Sequence, residues 1–357
     1  MRKTTARLAD GRALVYYDEG DGAGPRETHD RRRLEPVAVE SEVRYDAVMD
    51  EWVVVASHRQ ERTYLPPAEL CPLCPSRDGH LTEIPASEYD VVVFENRFPS
   101  LAADPCFDEG ELTPLAARRP GVGRCEVVCF TSQHDGALGR LGQRRLRTIV
   151  DVWADRTSEL SRLDGVEQVM PFENRGEQIG VTLSHPHGQI YAYPFVPPVL
   201  ERELAAESRH HRATGRCLYC DVIAGESSGE RTVVREDRWL AFVPPFARWP
   251  YEVHLAPLQH RGSLIDLDEA EDASLARALK VLLQKYDRLF QMPLPYVMAM
   301  HQKPPGRAGA NHHFHIEFYP PNRSRDKLKY LAGSELGAGA FILDARAEDT
   351  AAELRDA

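Results

Sequence analysis

The sequence has no long apolar stretch. Its longest runs are short, such as Trp52-Val53-Val54-Val55-Ala56, and none approaches the roughly 20 residues a membrane-spanning helix needs. The N-terminus, Met1-Arg2-Lys3-Thr4-Thr5, has no apolar core behind its charges, so no signal peptide is expected and the chain reads as cytoplasmic. A basic excess is missing too: 44 Lys and Arg against 55 Asp and Glu leave a net charge of −11. That excludes a general nucleic-acid binder, which needs a basic footprint. It leaves room for a small phosphorylated substrate held by a few local cations. Cysteine is sparse and odd in number, at seven. Four fall in two Cys-x-x-Cys pairs, Cys71/Cys74 and Cys217/Cys220, which without a secretory signal read as metal ligands rather than disulfides. Cys106, Cys125 and Cys129 show no ligand spacing, and the last two lie in an apolar strand-like run as core thiols.

What is present is a repeat. Each half runs Cys-x-x-Cys, His, helix, strand, polar loop, His-x-His. Cys217 and Cys220 follow Cys71 and Cys74 by 146 residues, His260 follows His134 by 126, and His313 follows His185 by 128. One order kept through so many elements points to duplication. A helical stripe is expected over about 142–163 with Leu146, Ile149, Val150, Trp153, Leu160 and Leu163, and a second over about 266–290 with Leu275, Ala278, Leu279, Leu282, Tyr286 and Leu289. Short apolar runs at 43–46, 51–55, 90–94, 124–130, 166–173, 231–235, 239–243, 251–257 and 295–300 read as strands. The expected fold is α+β: two duplicated halves forming a mainly antiparallel sheet with helices packed on it. The boundaries are 1–40 for a partly mobile N-terminal arm, 41–200 and 201–345 for the halves, and 346–357 for a tail.

The chain is organised around Ser184-His185-Pro186-His187-Gly188-Gln189. Residues two apart on a strand point the same way, so both imidazoles are expected to reach one pocket. Pro186 keeps His185 out of the helical region. Gly188 removes a side chain where a phosphate has to approach the backbone. Gln189 offers a hydrogen-bond donor without charge. An imidazole, a glycine and a neutral donor in this order suit nucleophilic attack on phosphorus.

This stretch resembles the histidine-triad superfamily in its transferase branch, the galactose-1-phosphate uridylyltransferase family and its nucleotidylyltransferase relatives. The resemblance covers about residues 43–340. It implies transfer of UMP from UDP-glucose to galactose 1-phosphate by a homodimer, through a uridylyl-histidine intermediate with ping-pong kinetics. It places Arg59, Arg62, Asn96, Asn174, Gly180, Thr182, Gln189 and Lys329 about the substrate. The two arginines are expected to meet its phosphates across the dimer interface, and Lys329 the hexose phosphate. Hydrolytic branches of the superfamily commonly carry histidine where Gln189 stands, so Gln189 favours transfer. Two other readings stay open: an ADP-sugar or dinucleoside-polyphosphate phosphorylase of the same superfamily, and a zinc-stabilised nucleotide-binding protein without turnover.

Cys71, Cys74, His134 and His185 make a Cys₂His₂ set suited to tetrahedral zinc, with no open position, hence structural. His185 is then engaged, and His187 is the attacking group. The repeat gives a second set, Cys217, Cys220, His260 and His313. Some uridylyltransferases instead hold their second metal on a Glu and three His, matching Glu203, His301, His315 and Glu317 here, with Glu317 in the place of a His. The quartet is favoured, and it also occurs in the plant-type adenylyltransferase branch. His315 is the counterpart of His187 but lacks the Gly and Gln, so one active centre per chain is expected.

Overall fold

The computed structural model describes residues 1–20, 29–36, 38–61, 65–107, 115–307 and 311–357. In the first half the strands are β1 (Arg2–Arg7), β2 (Ala13–Asp18), β3 (Glu42–Asp46), β4 (Glu51–Val55), β5 (Val91–Glu95), β6 (Arg118–Pro120), β7 (Arg124–Cys129), β8 (Gln168–Arg175) and β9 (His187–Tyr193). In the second they are β10 (Thr232–Arg235), β11 (Trp239–Phe242), β12 (Val253–Pro257), β13 (Tyr296–His301) and β14 (His315–Tyr319). The helices are α1 (Gln143–Leu160), α2 (Pro198–Thr214), α3 (Leu218–Glu226), α4 (Glu269–Leu289) and α5 (Ala347–Asp356).

Eleven strands form one antiparallel sheet in the order β1-β2-β5-β7-β9-β8-β13-β14-β12-β11-β10. The order reads nearly the same from both ends. β8 pairs with β13 at the centre, and each half extends outward through matching strands, with β1 as the extra member. The expected duplication is therefore one continuous sheet. A smaller sheet, β4-β3-β6, contains the hairpin expected at 43–55.

Period-two alternation sorts side chains to the two faces. In β5, Val91 and Val93 join the core beneath the helices, while Val92 and Phe94 pack on the opposite side with Leu73 and Ile84. α1 and α4 cover one face with Leu146, Ile149, Val150, Trp153 and with Leu275, Leu279, Leu282, Tyr286. Each set recurs at helical spacing and forms a single apolar stripe. α1 ends at Leu160, so Leu163, expected on its stripe, lies beyond it and is exposed. α4 starts with a capping box in which Asp268 accepts from Glu271 N at 2.8 Å. The core beneath both helices is shared by the halves, which makes them one folding unit.

Within the expected arm β1 and β2 form a hairpin that turns at Gly11, φ +87°. Residues 29–36 are held rather than loose at Asp30, which is buried and accepts from Ala9 N at 3.0 Å. Residues 21–28 of the expected arm lie outside the described residues. The tail forms α5, tied to the core by Ala347, Ala351 and Leu354.

Candidate active site and metal-ligand clusters

β9 builds the site. Gly188, Ile190 and Ala192 face inward, while His187, Gln189 and Tyr191 line a cavity of about 250 Å³ on the face opposite α1 and α4. Phe94, Val127 and Phe172 share the row of Gln189 across four neighbouring strands. Asn96, Asn174, Gly180, Thr182 and Arg59 also line this cavity, so the structure gathers most of the expected substrate residues in one place. Gly180 takes φ +81°, a left-handed conformation that favours glycine.

His187 Nδ1 lies 2.7 Å from the carbonyl oxygen of His185. A carbonyl only accepts, so Nδ1 carries the proton and Nε2 keeps its lone pair. Burial pulls the pKa of His187 below its ordinary value, favouring the neutral ring. Asn96 Oδ1 accepts from Phe98 N at 2.9 Å, which turns its amide nitrogen toward Gln189 Oε1 at 3.4 Å. Gln189 then has its own NH₂ left to donate.

One expectation about the motif needs correction. β9 begins at His187, so the alternation does not reach back to His185. His185 turns away into a cysteine cluster and is 1% exposed, while His187 enters the cavity. Gly188, whose backbone lines the cavity, is also required for packing. A Cβ there would stand 2.8 Å from Phe130 Cζ and 2.9 Å from the Phe172 carbonyl oxygen.

The remaining candidates divide. Arg59, expected to act across a dimer interface, lines the cavity of its own chain in this structure and donates to the hydroxyls of Tyr191, at 3.0 Å, and Ser100. Arg62 lies outside the described residues. The structure does not bring Lys329 to the site: its side chain is 1% exposed, beside Glu335 at 3.5 Å and the Ile342 carbonyl, at a separate cavity lined by Tyr251 and Arg323. Tyr191, Phe172 and Arg97 were missed as cavity residues. Tyr191 was available from the alternation that selects Gln189. Phe172 lies within β8 and Arg97 just beyond β5, and both needed the sheet.

Both Cys₂His₂ quartets are assembled, each with its four donor atoms within 4.8 Å of one another. His185 Nε2 donates to the Thr131 carbonyl at 2.8 Å, leaving Nδ1 3.5 Å from Cys74 Sγ. His313 Nε2 donates to the Pro257 carbonyl at 3.0 Å, leaving Nδ1 3.3 Å from Cys220 Sγ. Burial pushes His185 down to about 4 and His313 to about 3. It pushes Cys74 and Cys220 up to about 12, helped by the neighbouring thiol in each pair. Two close sulfurs and two imidazoles, one of them in each quartet held by a carbonyl, fit a soft divalent cation, which supplies the positive charge that two thiolates need. Glu203, His301, His315 and Glu317 form a third cluster of the same compactness. The two arrangements weighed as alternatives for the second half thus exist side by side. In the third, His301 Nδ1 lies 2.9 Å from Glu203 and His315 Nε2 3.2 Å from Glu317.

With this geometry in view, the relatives are informative. The family model for the Galactose-1-phosphate uridyl transferase, N-terminal domain, matches residues 30–197, and that for the C-terminal domain matches residues 203–356. This chain belongs to the galactose-1-phosphate uridylyltransferase family. A Galactose-1-phosphate uridylyltransferase of Streptomyces lividans is 49% identical over 311 residues, covering 86% of this chain and 82% of the relative. One of Thermotoga maritima is 41% identical over 317 residues, covering 88% and 98%. A solved uridylyltransferase structure superposes with a TM-score of 0.78 at 35% identity, covering 88% of this chain and 97% of that one. An Arabidopsis thaliana ADP-glucose phosphorylase shares the fold, with a TM-score of 0.68 at 23% identity over 89% of this chain and 99% of that one. Family membership agrees with the duplicated α+β sheet and with the histidine motif at its centre.

Proposed function

We propose that the chain moves UMP from UDP-glucose to galactose 1-phosphate through a uridylyl group carried on His187 Nε2. Its uridylyltransferase activity in galactose metabolism follows from its family. The covalent route rests on one observation, the 2.7 Å contact of His187 Nδ1 with the His185 carbonyl, which leaves Nε2 free in the cavity that holds Gln189.

The Nε2 lone pair attacks the α-phosphorus. The bond from phosphorus to the glucose 1-phosphate oxygen breaks, and that product leaves with the electron pair. The ring now carries a positive charge, which the His185 carbonyl stabilises through Nδ1–H. An oxygen of galactose 1-phosphate attacks the same phosphorus, and the P–N bond returns its electrons to Nε2. Gln189 donates to a non-bridging oxygen in both steps. Asn96, Asn174, Gly180 and Thr182 shape the nucleotide pocket, Arg59 meets a phosphate, and His185 acts through its carbonyl.

Zinc in both quartets, a homodimer and a cytoplasmic location complete the proposal, with halves at 41–200 and 201–345. Among the described residues no helix is long and apolar enough to cross a membrane. In this reading the first zinc fixes His185 and hence the carbonyl that orients His187. Cys71→Ser is expected to lower zinc content and activity together; full activity without that zinc contradicts this role.

UDP-glucose labelled at the α-phosphorus is expected to label wild-type protein and not His187→Asn. Initial-rate kinetics are expected to give parallel double-reciprocal lines. Label on the His187→Asn protein, or kinetics that need both substrates bound together, rejects the covalent route. ADP-glucose as the better label donor selects the phosphorylase reading, and no label from any donor selects the binding protein.

A further inference from the structure

The two Cys₂His₂ quartets repeat in composition and differ in what holds their imidazoles. In the first, His134 turns Nδ1 toward Cys74 Sγ at 3.4 Å, so its proton sits on Nε2, which donates to Ser184 Oγ at 3.2 Å. His185 shares its Nε2–H between the Thr131 carbonyl and the Tyr89 hydroxyl, at 2.8 and 3.0 Å. Tyr89 in turn donates to the Leu73 carbonyl at 3.2 Å. Leu73 lies between Cys71 and Cys74, so one buried tyrosine ties the thiol loop to the imidazole opposite it.

The second quartet has half of this. His313 Nε2 meets the Pro257 carbonyl. His260 is exposed, and among the described residues its Nε2 has no hydrogen-bond partner. The tyrosine of this half, Tyr219, lies inside the Cys217–Cys220 loop and spends its hydroxyl on His254 at 2.7 Å, which belongs to neither quartet. The thiols differ as well: Cys71 is buried, whereas its counterpart Cys217 is partly exposed. One contact favours the second set. Cys217 caps α3, and its Sγ accepts from Cys220 N at 3.5 Å, which suits a thiolate. That contact steadies a sulfur and leaves the His260 ring unheld.

We infer that Ser184 and Tyr89 are positioning residues of the first quartet, and that the two zinc sites are unequal: the first retains its ion and the second exchanges it. The inference rests on the reading of zinc in both quartets. An imidazole that cannot rotate recaptures the ion before it escapes, while an exposed and unheld one opens a path for a chelator. Hydrogen-bond partners behind a metal ligand typically change metal affinity about 10–100-fold. The carbonyl that orients His187 belongs to the retained site, so activity outlasts loss of the second zinc.

The test is release of zinc from the full-length holoenzyme to excess pyridylazoresorcinol, followed by absorbance, with uridylyl transfer assayed on samples drawn alongside. Cys71→Ser and Cys220→Ser each lack one phase of release and so assign the two. Wild type is expected to lose second-quartet zinc on the order of tenfold faster, with little loss of activity, and activity then falls with the slower phase. Ser184→Ala and Tyr89→Phe are each expected to speed the slower phase about tenfold. They should leave the faster phase within about twofold, because the quartets share no partner. Ser184→Thr keeps the hydroxyl and is expected to restore the slow rate. Either position alone carries the test should a variant at the other fold poorly. Equal rates at the two quartets, or slower release from the second, overturn the inference. So does a slow phase unmoved in both hydroxyl variants, or one that Ser184→Thr fails to restore. Zinc missing from one or both quartets of the protein before chelation, read by elemental mass spectrometry, removes the two-zinc reading and the inference together.

Discussion

β9 and β14 carry the same histidine tether among different neighbours. His187 Nδ1 is 2.7 Å from the carbonyl of His185, and His315 Nδ1 is 2.9 Å from the carbonyl of His313. Both carbonyls belong to a histidine of a Cys₂His₂ quartet. Register extends the match: Val127 faces Gln189 as His254 faces Glu317, and Phe172 faces Gln189 as Ala299 faces Glu317. Around His187 these positions leave an open cavity. Around His315 they hold Glu317, His254 and His301, and Tyr219 stacks on the His315 ring with centroids 4.3 Å apart. An oriented imidazole is therefore not enough to make an active centre. Its free nitrogen also needs space and a neutral donor, and Glu317 takes the free nitrogen of His315 at 3.2 Å.

The sharpest way to break this comparison is to delete each ring. His187→Asn is expected to reduce uridylyl transfer on the order of 10⁴-fold or more, the loss typical of a nucleophile. His315→Asn is expected to cost less than about tenfold. Comparable losses in a coupled assay of kcat refute the assignment of one active centre.

A second contrast concerns the residue after each histidine. Gly188 has no room for a methyl group, whereas its counterpart Ile316 is a fully buried isoleucine. Gly188→Ala is expected to destabilise by about 1–3 kcal/mol through overpacking. It should also lower kcat on the order of a hundredfold, because β9 must shift and carry His187 with it. Ile316→Ala is expected to cost about 2–5 kcal/mol through its cavity with kcat changed only a few-fold. Thermal melts and kcat together check both, and a fully active Gly188→Ala protein refutes the packing account.

At the seam of the halves, Glu173 of β8 lies opposite Met298 of β13 and accepts from the Tyr296 hydroxyl at 2.7 Å. Burial raises its pKa to about 7. A carboxyl whose folded pKa lies above its unfolded value favours the fold at low pH and loses that contribution as pH rises from about 4.5 to about 7. Glu173→Gln removes the titration. It is expected to stabilise the protein at pH 8 by up to about 2–3 kcal/mol and to do little at pH 4.5. Denaturant midpoints at the two pH values check this; equal shifts at both reject it.

The smallest effects lie at the starts of the paired helices. α4 has the Asp268 capping box, while α1 starts at Gly142 with no side-chain cap. Asp268→Ala is expected to cost about 1 kcal/mol, and Gly142→Asp to gain a few tenths. A Cβ on Gly142 meets nothing within 4 Å. Thermal midpoints of the two variants check the signs.

Much of this was readable in the chain. The strands of 43–55, 90–94 and 124–130 and both long helices announce themselves by periodicity, and the structure moves their ends by a few residues. The quartets were readable because ligand chemistry fixes both residue type and order. α2 gave no comparable signal: its buried residues are Leu200 and Glu207 alone, so its face toward the sheet is largely polar. That face carries Glu203 and Glu207 to His301 and His312, contacts that no local pattern announces. Lys329 shows what a local pattern leaves open: a lysine beside glycines suits a phosphate contact, and within the single chain its side chain packs against Ile342 and Glu335.

The amino-acid order alone announced the duplication and the two Cys₂His₂ sets and singled out His187 as the candidate over His185, because each depends on which residue types recur at which spacing. Only the tertiary structure decided that one half keeps an open cavity while the other is filled. That difference comes from α2 and α3 closing over the second half and from His254 standing where the first half has Val127. Such neighbours lie tens of residues away in sequence, and whether space remains beside an imidazole is set by what packs across the sheet.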